Sequence, residues 1–370
     1  MENPENPIKT TPLHSRHTAL GAMMSPFAGY DMPIQYAGIV DEHNAVRNAC
    51  GVFDVSHMGE VEVWGPEATR FVSRIFTNDV RTAEPGQILY GMMCHPTGGV
   101  VDDLLVYKYS DTRYLLVINA ANIAKDVAWI TAHSAGYVAD VRNVSDKVAQ
   151  IAVQGPDSEA VMRDVLGLDC ADMKFYHFAD MEYQGEQVLV SRTGYTGEDG
   201  FEIYAIPDII CGMWDKLVGS KRAVPCGLGC RDTLRFEVGL PLYGDELSDT
   251  ITPIEAGLGI FVKFDKKGGF IGDAPLAEQK ANGAPRKIVG LMLEDRAIPR
   301  HGYEVLNEAD EVVGTVTTGY RGISVDASIA VALVDSRYAA KDTPLKVRIR
   351  RKTFPARVTA KKFYKKSYKQ

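Results

Sequence analysis

The sequence predicts an α+β protein: two similar lobes, each an antiparallel sheet with flanking helices, followed by a C-terminal β-barrel or jelly-roll domain. Three observations carry this expectation. First, a strand, a Gly-Pro pair and a helix occur twice, about ninety residues apart, which reads as an internal duplication. The copies are Val61-Glu62-Val63-Trp64-Gly65-Pro66-Glu67 and Ile151-Ala152-Val153-Gln154-Gly155-Pro156-Asp157. Second, each copy is followed by a glycine turn with acids that runs into a strand. These are Gly98-Gly99-Val100-Val101-Asp102-Asp103 and Gly194-Tyr195-Thr196-Gly197-Glu198-Asp199-Gly200-Phe201-Glu202. Third, the composition shifts at Ala281-Asn282-Gly283-Ala284-Pro285, and short strands with turns between them follow. They are Ile288–Leu293, Tyr303–Leu306, Val312–Thr317, Ile329–Val334, Leu345–Ile349 and Phe354–Val358, a spacing that suggests a small barrel. The expected division is therefore residues 1–280 for the duplicated lobes and 285–370 for the barrel domain.

The elements follow in order. Ala37 to Ala49 reads as an amphipathic helix with Ile39, Val40, His43 and Val46 near one face, stopped by Gly51. Phe53-Asp54-Val55-Ser56-His57-Met58-Gly59 leads into the alternating strand Glu60–Val63. His57 invites a catalytic reading, but with no second His or Cys at ligand spacing a hydrogen-bonded structural histidine is expected. Pro66 suits the first helical position of a segment carrying Phe71, Val72 and Ile75. Tyr114 to Asn119 is a buried strand, followed by a helix with Ile123, Val127 and Ile130 on one face. Val148–Gln154 is a strand and Ser158 to Val165 a helix. A later helix, Cys211 to Val218, uses Ile210, Met213, Trp214 and Leu217. Gly229 to Glu237 starts another; Arg231 in its first turn could hold an anionic or carbonyl group, or pair with Asp232 or Glu237.

The stretch most suggestive of chemistry is Thr97-Gly98-Gly99-Val100-Val101-Asp102-Asp103-Leu104-Leu105-Val106-Tyr107. Val100 to Tyr107 is a buried strand entered from a tight turn. Neighbouring strand residues point to opposite faces, so Asp102 and Asp103 cannot share one environment. One can face solvent or cap the turn; the other is pushed towards the apolar side and needs a partner. Two similar lobes would set their acid-bearing turns across a shared cleft, where ligands commonly bind.

Composition excludes several classes of protein. The 370 residues, 45% apolar and 24% charged, suggest two or three folded domains rather than a disordered chain. No apolar run approaches a membrane span, so a soluble protein with no membrane role is expected. Met1–Pro7 has neither a signal-peptide nor a transit-peptide pattern. The six cysteines form no Cys-x-x-Cys pair and no metal pattern, which fits free thiols in a reducing cytoplasm. From Lys346 onward there are eleven Lys or Arg and no acid, leaving −18 on the rest of a chain whose net charge is −7. Such a basic end is usually a solvated face; a nucleic-acid role would want more interleaved stacking aromatics, and a rim that attracts an acidic protein or a polyanionic ligand fits equally well.

The chain resembles the aminomethyltransferase (T-protein) family of the glycine cleavage system. The motifs are Pro26-Phe27-Ala28-Gly29 with Met32-Pro33, Phe53 to Gly59, Gly98 to Leu104, Val153-Gln154-Gly155-Pro156, Arg192 to Glu202, Arg231-Asp232-Thr233-Leu234-Arg235 and Ile254 to Gly259. They occur in order from about Pro12 to Val358, nearly the whole chain. The resemblance implies a cloverleaf of three domains around a folate channel. It implies transfer of the methylene of an aminomethyl group, carried on the lipoyl arm of H-protein, to tetrahydrofolate. Ammonia is released and 5,10-methylenetetrahydrofolate formed. The implied partners are lipoylated H-protein and the other glycine cleavage components, with the chain itself a monomer. The family's essential carboxylate falls on Asp103 and its nearby asparagine on Asn119. Its folate-site residues fall on Met58, Tyr90, Tyr176, Tyr195, Glu202 and Arg231, with Tyr368 near the C-terminus.

The residue chemistry agrees with these roles. A fixed carboxylate suits an iminium-like species that water would destroy, or helps a folate nitrogen lose its proton. A pterin presents an amino group and a ring N–H side by side, which suits Glu202 as a double acceptor. Tyrosines offer flat faces with polar tips, or simple core packing. Arg231 either binds folate or braces Glu202. Two positions depart from the family pattern: Tyr320-Arg321-Gly322-Ile323-Ser324 stands for a Ser-Pro-Ser turn, and Lys362-Phe363 for Pro-Phe. The alternative within the fold is a tetrahydrofolate-dependent demethylase of a small sulfonium or N-methyl compound. A folate-binding factor of iron–sulfur assembly is disfavoured because its Lys-Gly-Cys-Tyr-x-Gly-Gln-Glu motif is absent.

Overall fold

The computed structural model describes residues 7–368. Met1–Asn6 and Lys369, which entered the reading of the two ends, lie outside them. Strands β1 (Lys9–Thr10), β2 (Met23–Phe27) and β3 (Tyr30–Gln35) form a small sheet with β3 at its centre, and α1 (His14–Ala19) lies between β1 and β2. Helix α2 (Ile39–Asn48) buries His43 and Val46 as expected, yet Val40 is 53% exposed. Glu42 and Arg47 take the inner face instead. Glu42 accepts from the amides of Tyr36 (2.5 Å), Gly38 (3.2 Å) and Gly227 (2.8 Å), so its burial is compensated in a way apolar periodicity does not register.

The duplication is visible in the topology. After β4 (Gly51–Asp54), the first lobe comprises β5 (Gly59–Trp64), α3 (Ala68–Ile75), β6 (Ile88–Cys94), β7 (Val100–Ser110), β8 (Arg113–Ile118), α4 (Ile123–His133) and β9 (Asp140–Asn143). The second comprises β10 (Ala149–Gln154), α5 (Ser158–Val161), β11 (Phe178–Tyr183), β12 (Glu186–Ser191), β13 (Gly200–Ala205), α6 (Pro207–Gly219), β14 (Val224–Cys226) and α7 (Leu228–Glu237). The sheets run β6-β7-β8-β5-β9 and β11-β12-β13-β10-β4-β14, so four consecutive strands have the same order in both. Gly65 and Gly155 occupy equivalent turns at φ 138° and 132°. A Cβ there would lie 2.3 Å from the Val138 carbonyl oxygen and 2.4 Å from that of Ala49.

One correspondence read from the sequence is displaced by a strand. Asp103 lies on β7, whose counterpart is β12, whereas Glu202 lies on β13, the counterpart of β8. Glycines with acids mark a turn but not which hairpin it belongs to. Pro66 likewise sits in the turn before α3, which begins at Ala68. The helix expected over Ser158–Val165 is α5 followed by a wider turn, Met162–Leu166. Helix α6 buries Ile210, Met213, Trp214 and Leu217 as its period requires.

Helix α8 (Asp273–Asn282) precedes β15 (Arg286–Leu293), β16 (Glu304–Leu306), β17 (Val312–Arg321), β18 (Ser328–Asp335), β19 (Pro344–Ile349) and β20 (Lys352–Thr359). These close in the order β15-β18-β17-β16-β19-β20, a barrel rather than a jelly roll. Closure leaves no unpaired edge. The basic end is partly spent on that surface: Lys346, Arg348 and Arg357 pair with Asp310, Glu304 and Glu294. Among the described residues no helix is long and apolar enough to cross a membrane.

Two buried arginines tie lobes and barrel together. Arg47 donates to the Thr196 carbonyl (2.6 Å), Glu198 (2.8 Å) and the Leu234 carbonyl (3.1 Å), with the Tyr364 ring 4.2 Å away. Arg235, 1% exposed, donates to Asp232 (2.7 Å) and Glu246 (2.8 Å), and Glu246 in turn accepts from Thr317 and Thr318 on β17. The divergent turn at Ile323-Ser324 is part of this framework, because both amides donate to Glu237 at 2.6 and 2.8 Å. Breaking one side of a buried charge network leaves the other charges uncompensated. Arg235→Met is therefore expected to cost roughly 3–5 kcal/mol in a denaturant titration.

Candidate active site

The site is built on β7. At its entry the Gly98-Gly99 turn packs so closely on the chain at Asp249 that a Cβ at Gly99 would lie 1.7 Å from the Asp249 carbonyl oxygen. The Val100 amide donates to the Ser248 carbonyl at 2.9 Å. Register then fixes the acids: Asp102 points inward and is fully buried, while Asp103 is half-buried on the opposite face. The sequence left one acid free to face solvent or cap the turn. Neither does so.

Asp102 Oδ1 accepts from Asn119 Nδ2 (2.9 Å) and Asn122 Nδ2 (2.8 Å), and Oδ2 from the Asn119 amide (3.1 Å). Asn119 Nδ2 also donates to Asp103 Oδ1 (3.0 Å), and Tyr90 donates from β6 to Asp103 Oδ2 (2.9 Å). Burial, and then the charge on Asp102, push the Asp103 carboxyl up to about 7. It therefore exchanges a proton near neutral pH, a property suited to acid–base work.

Asp103 opens into a cavity of about 380 Å³ lined by both lobes, the 239–261 connection and Lys361. Eight of the nine residues singled out from the sequence line it: Met58, Tyr90, Asp103, Asn119, Tyr176, Tyr195, Glu202 and Arg231. Tyr368 is not among them; its hydroxyl donates to Glu198 (2.6 Å) and accepts from the Asp199 amide (3.1 Å), tying the C-terminal segment to the second lobe.

Glu202 faces the cavity from β13. Its Oε1 accepts from Gln150 Nε2 (3.2 Å) and its Oε2 from the Thr193 hydroxyl. Burial raises its pKa, opposed by Thr193 and Arg231. A hydroxyl chain runs behind it: Tyr204 to Tyr107 (2.8 Å), Tyr107 to Ser191 (3.2 Å), and Ser191 to Thr193 (2.7 Å). Arg231 joins neither Asp232 nor Glu237. Asp232 is taken by Arg235 and Tyr320, and Glu237 by Arg47 and His43. The Arg231 guanidinium lies 4.5 Å from the Tyr195 ring centroid, and among the described residues it has no ion pair. A cation lining a cavity without a carboxylate partner is a receptor for an anionic or carbonyl group.

The sequence reading missed Gln150, Thr193, Tyr243, Phe261 and Lys361, all of which line the cavity. Gln150 was detectable as a polar residue within an apolar buried strand; the others arrive from connections with no period. His57 differs from expectation. It is buried with Nδ1 unpartnered, edge-on to Phe27 (5.6 Å) and Tyr30 (6.4 Å). Burial, and then Arg231, hold it down to about 4, so it is a neutral packed ring rather than a hydrogen-bonded one.

Two lobes and the connection after them closed on one cavity, with tyrosine walls, two carboxylates and an unpaired arginine, define a ligand-binding enzyme. Comparison with known proteins makes this particular. Residues 13–266 match the GCVT N-terminal domain, and residues 286–365 the glycine cleavage T-protein C-terminal barrel domain. Aminomethyltransferases of Alkaliphilus oremlandii and Bacillus subtilis are each 48% identical, covering 98% and 97% of this chain and 99% of each relative. The crystal structure of glycine cleavage system aminomethyltransferase T from Bartonella henselae superposes with a TM-score of 0.93 at 32% identity, covering 98% of this chain and 100% of that one. The chain belongs to the glycine cleavage T-protein family.

The raised carboxyl of Asp103 has a consequence for stability. A folded-state pKa of about 7 against an ordinary 3.8 means the folded protein binds more protons than the unfolded chain between those values. Stability from this group is thus fully present below the ordinary value and is lost as pH rises through about 7. Asp103→Asn removes that loss. The melting temperature of the variant relative to wild type is expected to climb between pH 4 and pH 7 and to level off above.

Proposed function

We propose that this chain is the tetrahydrofolate-dependent aminomethyltransferase of glycine cleavage, acting in the cytoplasm as a monomer. It takes the aminomethyl group from the lipoyl arm of H-protein, releases ammonia, and leaves 5,10-methylenetetrahydrofolate and dihydrolipoyl H-protein. The observation that carries the reading is the convergence of Asp103 and Glu202, from non-equivalent strands of two duplicated lobes, on one tyrosine-walled cavity.

The donor set fits a reduced pterin with an acidic tail. Glu202 has lone pairs beyond those used by Gln150 and Thr193 and can accept from an amino group and a ring N–H together. Tyr90, Tyr176 and Tyr195 present apolar faces, and Arg231 offers an unpaired cation for a carbonyl or carboxylate. Bound in this cavity, tetrahydrofolate supplies the amine nitrogens that take up the methylene. Asp103 then stabilises positive charge on the incoming carbon or accepts a proton from an amine, while Asn119 and Tyr90 hold its two oxygens in place. Met58 and Phe261 contribute to the apolar lining that keeps water from the transfer. Holding the reactants together is worth about 7–11 kcal/mol in favourable cases, more than a proton-transfer group supplies. Most of the rate thus comes from positioning. The basic C-terminal end, with Arg350, Arg351 and Lys352 at the β19–β20 turn, suits an acidic partner protein.

An assay with aminomethylated H-protein and tetrahydrofolate, scoring ammonia and methylenetetrahydrofolate together, tests the whole reading; formation of both in equal amounts is expected. Asp103→Asn is expected to bind folate nearly as wild type but to lose about 10²–10⁴-fold in turnover. Near-normal turnover would refute its role. Glu202→Ala is expected to weaken folate binding, measured by calorimetry, far more than it lowers the melting temperature. Parallel losses of both would mark Glu202 as structural.

A further inference from the structure

Behind the cavity, on the face of β7 opposite Asp103, lies a second acidic group that nothing above employs. Asp126, in the first turn of α4, is fully buried, and neither carboxylate oxygen has a hydrogen-bond partner. It lies one helical turn after Asn122, whose side chain donates to Asp102 at 2.8 Å, so the two residues share the face of α4 turned towards Asp102. Asp102 is already supplied with three N–H donors, from Asn119 and Asn122, which compensate one buried negative charge. Two of its four lone-pair directions are used on Oδ1 and one on Oδ2, so one remains.

One cation stands near Asp126: Lys125 Nζ forms an ion pair with Asp126 Oδ1 at 3.6 Å, longer than a hydrogen bond, and opposes the effect of burial, while it also donates to the Val101 carbonyl and lies 4.1 Å from the Tyr243 ring. The Tyr243 hydroxyl donates to Asp249 at 3.1 Å. Two acceptor-only carboxylates facing each other in a dry site are repulsive; one proton between them turns repulsion into a hydrogen bond. Burial first, and then Asp102, push the Asp126 carboxyl up to about 10, in the same direction.

We propose that Asp126 is a neutral carboxylic acid that donates to the remaining lone pair of Asp102, and that through Asp102 it is the positioning residue for the Asn119 amide that holds Asp103. Asn119 Nδ2 touches Asp102 and Asp103 together, so its orientation depends on where Asp102 is held. Asp126 meets no part of the cavity and is not a catalytic residue. The positioning role rests on the reading of Asp103 given above; the protonation state does not.

The test uses the full chain with Asp126→Asn, which keeps a neutral donor, and Asp126→Leu, which fills similar space without one. In the infrared difference spectrum of wild type minus Asp126→Asn at pH 7, with carbon-13 aspartate labelling, loss of a carboxylic-acid C=O band is expected. A carboxylate band in its place overturns the proposal without reference to activity. Kinetically, Asp126→Asn is expected to stay within about twofold of wild type in kcat, with the acidic limb of its pH profile unmoved. Asp126→Leu is expected to lose on the order of 10²-fold in kcat with folate affinity unchanged, the scale of a misplaced reacting group. Its acidic limb moves to higher pH, because a displaced Asn119 amide no longer donates to Asp103 and no longer holds that carboxyl down against burial. Equal damage in the two variants, or a loss of kcat with the limb unmoved, overturns the positioning role. Near-normal turnover of Asp103→Asn overturns the parent reading and the positioning role with it, leaving the infrared result to stand alone.

Discussion

Two adjacent carboxylates on one buried strand set the constraint that the rest of this structure answers. Because strand side chains alternate, Asp102 and Asp103 are separated into different environments by a single backbone step. Each must be compensated separately, yet each still feels the other's charge through a medium of low dielectric. Asn119 serves both, with its amide nitrogen between them. Asn122 completes the inner carboxylate and Tyr90 the outer one. The result is an outer carboxyl poised near neutrality and an inner one anchored by three N–H donors. The close turn at Gly98-Gly99 packs on the chain at Asp249 and leads directly into β7, where Asp103 pairs with Met92 and Asp102 with Met93 of β6.

The duplication supplies a frame and not a symmetry of chemistry. Four strands run in the same order in both sheets, yet the carboxylates that reach the cavity come from the second hairpin strand in one lobe and the third in the other. Glu202 is backed by the hydroxyl chain from Tyr204 through Tyr107, Ser191 and Thr193, which has no counterpart behind Asp103. One lobe thus offers acid–base capacity and the other a hydrogen-bonded recognition surface. The barrel is tied to the lobes through Arg235, Glu246 and the paired threonines of β17, while the segment after β20 returns Lys361 to the cavity wall.

Local signals in the sequence found elements wherever burial is apolar and periodic. Helix α6 shows all four of its inward residues in its 3.6-residue spacing. All six barrel strands are visible as short β-branched runs between turns. The same reasoning failed on α2, where Glu42 and Arg47 occupy the inner face because distant backbone groups and carboxylates receive them. It failed on His57, whose ring is packed rather than hydrogen-bonded. Glu42 and Arg47 are buried because they have partners far away in the chain, whereas the neutral His57 ring is buried by aromatic packing, and neither case leaves an apolar period.

The amino-acid sequence by itself determined the two-lobe-plus-barrel architecture, the strand that bears the acid pair, and eight of the residues that line the cavity. These follow from periodicity, turn chemistry and family motifs, all of which are written within a few residues of one another. The tertiary structure alone decided which acid faces the cavity, that Arg231 is left unpaired, that Tyr368 serves as a tether, and that Asp126 stands against Asp102. Each of those outcomes depends on strand register or on contacts between groups tens to hundreds of residues apart, which no local pattern encodes.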